Sequence, residues 1–206
     1  MSRNVEYFFT TASPWAYLGH AAFMEIAQRH RLDVQFRPMP VRRVFDATGG
    51  LPLPQRHPAR QRYRLVELQR WRERRGLPLN PQPKHSPFDA SIADRIVIAL
   101  AGQGANPDAF MRRVFAGTWA EERDLGAREL LGALLAETGH EPEASMRAAE
   151  SEAVAALYDA NREAAVAMDV FGAPSYVLDG EVFWGQDRLD LLDEALTSGR
   201  EAFRAG

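Results

Sequence analysis

A chain of 206 residues is long enough for one domain of ordinary size, or for one domain carrying a large insertion. Its 46% hydrophobic and 26% charged residues exclude a disordered chain, and a net charge of −3 disfavours a generic nucleic-acid binder. It has no cysteine, which excludes a disulfide, an iron–sulfur cluster, a thiolate zinc site, a cysteine nucleophile and a CxxC redox pair.

Residues 5–10 (VEYFFT) form a short aromatic and β-branched run, the pattern of a buried strand. The N-terminus runs straight into it, so no secretory leader is expected, and no stretch approaches the ~20 apolar residues of a membrane span. Thr11-Ala12-Ser13-Pro14 follows. Serine before proline at the head of an apolar helical run is an N-cap with proline at the first helical position, which predicts a helix over 14–30. Residues 33–39 alternate and read as a second strand, parallel to the first through a right-handed crossover. Residues 41–58 carry Gly49-Gly50 and three prolines, and read as a loop. A helical pattern rich in arginine follows over 60–75, then a proline-rich extended segment over 77–87. Further helices are predicted over 88–101, 107–115 and 127–138, and one long helix or two joined over 143–168. Residues 170–174 make a turn. Residues 175–178 (SYVL) and 181–184 (EVFW) then form a hairpin across Asp179-Gly180, a favoured two-residue turn. Gly185-Gln186-Asp187 leads into an amphipathic helix with Leu189, Leu192 and Leu196 on one stripe.

The order is β-α-β, a helical block, then β-β-α. This predicts an α/β fold: a thioredoxin-like four-stranded mixed sheet with a large all-helical insertion. Residues 1–40 and 170–206 would make the thioredoxin-like domain and 41–169 the helical insertion, giving two lobes that fold as one unit. Charge is uneven. Residues 42–75 hold ten arginines against Asp46, Glu67 and Glu73, whereas residues 120–206 carry a net −12. The arginines read as a solvated helix face, with a few of them able to attract an anionic substrate.

In this fold order the N-terminus of the first helix faces the loop before the third strand, here Ser13-Pro14 and Ala173-Pro174. A helix N-terminus carries unsatisfied N–H groups and the positive end of the dipole, so it favours an anion. Ser13 has no histidine nearby in sequence to act as its base, and is better suited to donate a hydrogen bond to an incoming thiolate than to attack. Capping and donation do not conflict, because the cap oxygen accepts while its proton stays free. A cis Ala173–Pro174 bond would leave the Ala173 backbone free to pair with an extended peptide. Asp187 is either an N-cap of the last helix or, with Gln186 alongside, a carboxylate for the amino group of a bound peptide. The five histidines show no metal-ligand spacing, and His20 reads as structural. Trp15, Trp119 and Trp184 are either core residues or the lining of an aromatic pocket.

FFTTASPWAYLGH, ELQRWRERRGLPLNP, FAGTWAEE and VFGAPSYVLDGEVFWGQDRLDLL lie in this order along nearly the whole chain. In these segments it resembles the 2-hydroxychromene-2-carboxylate isomerases, which belong with the kappa-class glutathione transferases in the DsbA-like branch of the thioredoxin fold. The resemblance implies a glutathione site. Ser13 matches the serine at the glutathione sulfur. Ala173, before a cis Pro174, matches the residue whose backbone pairs with the cysteinyl part, and Gln186 and Asp187 match the pair at the γ-glutamyl end. The family more often has Asn or Ser where Gln186 stands, commonly Val or Leu at Ala173, and often Asp at Glu67. The implied reaction interconverts 2-hydroxychromene-2-carboxylate and trans-o-hydroxybenzylidenepyruvate in a cytoplasmic homodimer, with an arginine between Arg42 and Arg75 on the substrate carboxylate. Two other readings stay open: a kappa-like transferase or peroxidase on another electrophile, and a cysteine-less binding module.

Overall fold

The structure is a computed structural model that describes residues 3–204. Strand β1 (Asn4–Phe9) leads through a short turn into helix α1 (Pro14–His30), and β2 (Asp33–Pro38) returns beside β1. A helical block follows: α2 (Val41–Thr48), α3 (Pro58–Arg75), α4 (Ser91–Gly102), α5 (Asp108–Trp119), α6 (Arg128–Glu137), α7 (Pro142–Ala149) and α8 (Glu152–Ala167). The chain then makes β3 (Ser175–Leu178), β4 (Glu181–Trp184) and α9 (Leu189–Ser198). The sheet order is β2-β1-β3-β4, with β1 and β2 parallel and both other pairings antiparallel. This is the four-stranded mixed sheet expected, built from both ends of the chain. No helix among the described residues is long and apolar enough to cross a membrane.

The two-residue period of β1 explains why the sheet is covered on both faces. Val5, Tyr7 and Phe9 pack with Leu18, Phe23, Tyr176 and Leu192, while Phe8 points the other way onto Met39, Val44, Ala165, Val170 and Val177. Each such fully buried side chain contributes about 1.5–3 kcal/mol of transfer free energy. Asp179 and Gly180 both take positive φ, 51° and 83°, as the two-residue hairpin turn requires.

One expectation is corrected. Residues 41–48 are a helix and not loop: Val44 is fully buried in the second core cluster and Val41 packs against it, while Gly49 caps the end in the left-handed conformation. Burial of that short apolar face outweighs the turn signals that follow it. Of the two alternatives for residues 143–168, two joined helices are observed, separated where Ser151 caps α8 by accepting from the Val154 amide at 3.3 Å.

One carboxylate sits wholly inside this core. Asp94, on the buried face of α4 with Ala93, Val97 and Ile98, has no exposed surface. Burial pushes its carboxyl up to about 6 from an ordinary 3.8, against the downward pull of its hydrogen bonds from Thr11, Thr10 and Tyr158. A raised folded-state value means that the folded protein holds this proton more tightly than the unfolded chain. Asp94 therefore favours folding most at low pH, and that contribution is lost as pH rises from about 4 to about 6. The stability difference between the parent and Asp94→Asn, which does not titrate, is expected to move toward the parent by up to about 3 kcal/mol on acidification from pH 8. Denaturant melts of both proteins across that range measure it, and a pH-independent difference would contradict it.

Candidate functional site

The sheet register brings the chain segments that carry the predicted residues to one end of the sheet. Phe8 pairs with Ser175 and Ser175 with Trp184. The chain leaving β1 toward Ser13, the chain entering β3 through Ala173-Pro174, and the chain leaving β4 through Gly185 therefore emerge side by side. The Gly185 amide donates to the Pro174 carbonyl at 2.9 Å, which ties the last two together. The Ala173–Pro174 bond is cis, as is Ser86–Pro87 in the extended segment.

Ser13 caps α1: its Oγ accepts from the Ala16 amide at 3.2 Å, and Pro14 takes the first helical position. The residue is 8% exposed, and its hydroxyl proton has no acceptor among the described residues. A buried hydroxyl with a free proton at a helix N-terminus can donate to an anion.

Gln186 and Asp187 lie in a 3-10 turn, Gln186–Arg188, between β4 and α9. Gln186 is 1% exposed. Its Oε1 accepts from Arg75 Nε at 3.0 Å and its backbone carbonyl from a second Arg75 nitrogen at 3.0 Å, so one guanidinium of α3 clamps the turn. Its Nε2 is buried without a partner among the described residues. Such a donor is costly unless something accepts from it. Asp187 is exposed and pairs with Arg188 at 2.7 Å. It is not the cap of α9: Arg188 holds that position, and no side chain caps it. The 3-10 turn moves Asp187 one position too far from the helix.

Beside these residues opens a cavity of about 640 Å³. Trp15, Trp71, Tyr63 and Trp184 form its aromatic part, Arg56, Arg60, Arg64 and Arg188 its basic part, and Gly185, Gln186 and Asp187 also line it. Trp119 is 3% exposed and packs in the core, so only two of the three tryptophans singled out in the sequence reach the cavity, and Trp71 joins them. Glu67 also lines it, but its carboxylate is held by Arg70 at 2.6 Å, which keeps it below its ordinary range. Of the arginines, Arg56 bonds the Leu51 carbonyl and Arg60 is exposed. Arg64 is half-buried and has no carboxylate partner among the described residues. Burial, and next the neighbouring Arg56, pull its guanidinium below its ordinary value, the mark of a cation lacking a counter-ion.

His20 is structural, as its sequence position suggested. It is 2% exposed between Tyr7 and Phe115, with Nε2 at 2.9 Å from Asp108, and burial pulls its imidazole below the ordinary value against the upward pull of Asp108. Arg75 and Arg64 escaped the sequence reading because both sit in a run of arginines whose other members face solvent. The contact that singles out Arg75 is with Gln186, far along the chain, and what singles out Arg64 is its burial in the folded protein.

The model of the DsbA-like thioredoxin domain matches residues 4–197. A 2-hydroxychromene-2-carboxylate isomerase of Pseudomonas putida is 31% identical over 199 residues, covering 93% of each chain. A solved structure of a 2-hydroxychromene-2-carboxylate isomerase superposes with a TM-score of 0.80 at 28% identity, covering 95% of each chain. The fold is shared more distantly with a cytosolic disulfide reductase, DsbM, of Pseudomonas aeruginosa, solved with glutathione, at a TM-score of 0.67, 17% identity and coverage of 94% and 99%.

Proposed function

The chain belongs to the DsbA-like thioredoxin family and to the 2-hydroxychromene-2-carboxylate isomerases, and we propose that it is a glutathione-dependent isomerase of a small aromatic carboxylate, interconverting 2-hydroxychromene-2-carboxylate and trans-o-hydroxybenzylidenepyruvate. The observation that carries this reading is the junction of two unlike halves. A helix capped by Ser13, with a free hydroxyl proton, reaches through Trp15 two residues on into a cavity walled by aromatic rings and arginines, although Ser13, Ala173 and Pro174 do not themselves line it. The first half suits a thiolate, which a chain without cysteine does not itself possess. The second suits a flat anionic aromatic molecule.

The residues present fit glutathione. Gln186, which lines the cavity, has a buried and unpartnered Nε2 that could donate to the γ-glutamyl carboxylate, and Asp187 beside it offers a counter-charge for the amino group. A structural relative of the same fold is described with glutathione. When bound, glutathione would supply a thiolate nucleophile suited to reversible addition to the conjugated double bond of the ring-opened substrate. Ser13 would donate a hydrogen bond to the sulfur and, with the α1 dipole, favour the thiolate over the thiol. Ala173 offers backbone to the cysteinyl part before Pro174. Trp15, Trp71 and Trp184 enclose the ring and exclude water, and Arg64 takes the substrate carboxylate. The same reading places the enzyme in the cytoplasm as a homodimer.

Calorimetric titration with glutathione, with ultraviolet thiolate absorbance followed against pH, tests the first half. Binding with a thiol pKa below that of free glutathione is expected, and no binding at millimolar glutathione would overturn the reading. Arg64→Gln tests the second half. Loss of one charge-assisted hydrogen bond is expected to raise KM for the aromatic carboxylate about tenfold or more. Glutathione affinity should stay as in the parent. A neutral electrophile turned over equally by both proteins, with the carboxylate inactive, would instead favour a kappa-like transferase.

A further inference from the structure

Burying a carboxylate is expensive unless its acceptor sites are filled, and an apolar residue in α4 would avoid that cost. Asp94 is buried and filled. Its Oδ1 accepts from the Thr11 amide at 2.7 Å and the Thr11 hydroxyl at 2.8 Å, and its Oδ2 from the Thr10 hydroxyl at 2.9 Å and Tyr158 Oη at 2.9 Å. Three of the four donors come from two consecutive residues, both in the short segment between β1 and α1. That segment bears Ser13 two residues further on. The Thr10 carbonyl in turn accepts from the Ser13 amide at 3.0 Å. The fourth donor, Tyr158, belongs to α8, so two helices of the helical block converge on the loop at the head of α1.

We propose that Asp94 is a positioning residue, whose buried carboxylate fixes Thr10 and Thr11 and thereby sets where the Ser13 hydroxyl stands. This rests on the role given to Ser13 above. A backbone turn of four residues with no regular ladder of its own is free to shift, and displacing a reacting or stabilising group by about 1 Å costs up to about 100-fold in rate. Asp94 removes that freedom from a distance, acting through Thr10 and Thr11 and not on substrate. It also gives the helical block a second task, since one of its core residues holds the head of α1.

The charge itself is not what positions the loop, and this separates the proposal from an electrostatic one. A carboxylate near a thiolate raises the thiol pKa. An asparagine at the same place still accepts from the Thr11 amide and hydroxyl through its oxygen, and its NH2 donates to the Thr10 and Tyr158 oxygens once their hydroxyls rotate. Asp94→Asn is therefore expected to keep kcat within about threefold of the parent, and Asp94→Ala to lose at least about tenfold. KM for glutathione should hold in both. The bound thiol pKa should rise toward the free value in Asp94→Ala only.

Amide hydrogen exchange at Thr11 and Ser13 reads the anchoring without glutathione. It is expected to be slow in the parent and in Asp94→Asn, and fast in Asp94→Ala. A folded Asp94→Ala with parental kcat and parental exchange overturns the proposal. So does an Asp94→Asn that lowers the thiol pKa and changes kcat as much as Asp94→Ala does, because the charge would then be the active part. If Asp94→Ala does not fold, Thr11→Val decides: it removes one hydroxyl bond and leaves the carboxylate, with an expected kcat loss of about threefold or more, and parental kcat there counts against the proposal. If the parent itself does not bind glutathione, the functional reading fails on that arm, while the exchange arm still decides whether Asp94 fixes the loop.

Discussion

A Ser13→Ala variant is expected to remain folded and to lose about 100–1000-fold in turnover, the range seen when one preorganised donor to a developing anion is removed. The side chain has two tasks that the structure keeps apart. Its oxygen accepts from the Ala16 amide at 3.2 Å, and its proton is uncommitted among the described residues. Alanine removes both, with a cap loss of about 0.5–2 kcal/mol. Ser13→Asp separates them, since aspartate caps as well as serine but brings a negative charge and no donor to the place where an anion is to sit. Ser13→Asp should therefore melt close to the parent and still be inactive, with the bound thiol pKa raised. Turnover unchanged in Ser13→Ala would remove Ser13 from the mechanism.

The parts of this site that depend on local chemistry were legible in the sequence. Ser-Pro marks the start of α1 to the residue, Asp179-Gly180 marks the hairpin, and the strand order at the two chain ends brings the segments that carry Ser13, Pro174 and Gln186 to one end of the sheet. What was hidden is what the helical block contributes. The eight residues of α2 are too few to show a helical period against Gly49-Gly50 and the prolines after them, and tertiary burial of Val44 decides the matter. The sequence singles out Trp119 and not Trp71, yet Trp71 lines the cavity and Trp119 packs in the core, a difference that tertiary packing decides. Arg75 meets Gln186 across 111 positions of chain, and no spacing rule reaches that far. Asp94 left a trace: in SIADRIVIAL it falls three and four residues before Val97 and Ile98, on the apolar stripe, where a carboxylate needs partners from elsewhere.

Gly19→Ala is expected to damage stability and glutathione affinity together, because α1 touches the 3-10 turn through a position with no side chain. A methyl built on Gly19 would stand 2.5 Å from Gln186 Cβ, 3.0 Å from Tyr176 Oη and 3.4 Å from the Gln186 backbone. None of these neighbours yields cheaply. Gln186 is clamped by Arg75 on its far side, and Tyr176 lies in the sheet core against Tyr7 and Phe23. The helix must move off the turn, or the turn must move into the cavity. Overpacking of this kind costs about 1–3 kcal/mol. In a chain of this size each kcal/mol lowers Tm by roughly 2–4 °C. On the proposed reading, moving the turn displaces Gln186 Nε2 and Asp187 from the γ-glutamyl end they would hold, so affinity is expected to fall with stability. Gly102→Ala is the control: nothing lies within 4 Å of its added methyl, and helix propensity there favours alanine by about 0.5–1 kcal/mol. If Gly19→Ala loses stability yet binds glutathione as tightly as the parent, the Gln186–Asp187 turn does not hold the γ-glutamyl end, and that contact must be sought among the cavity arginines instead.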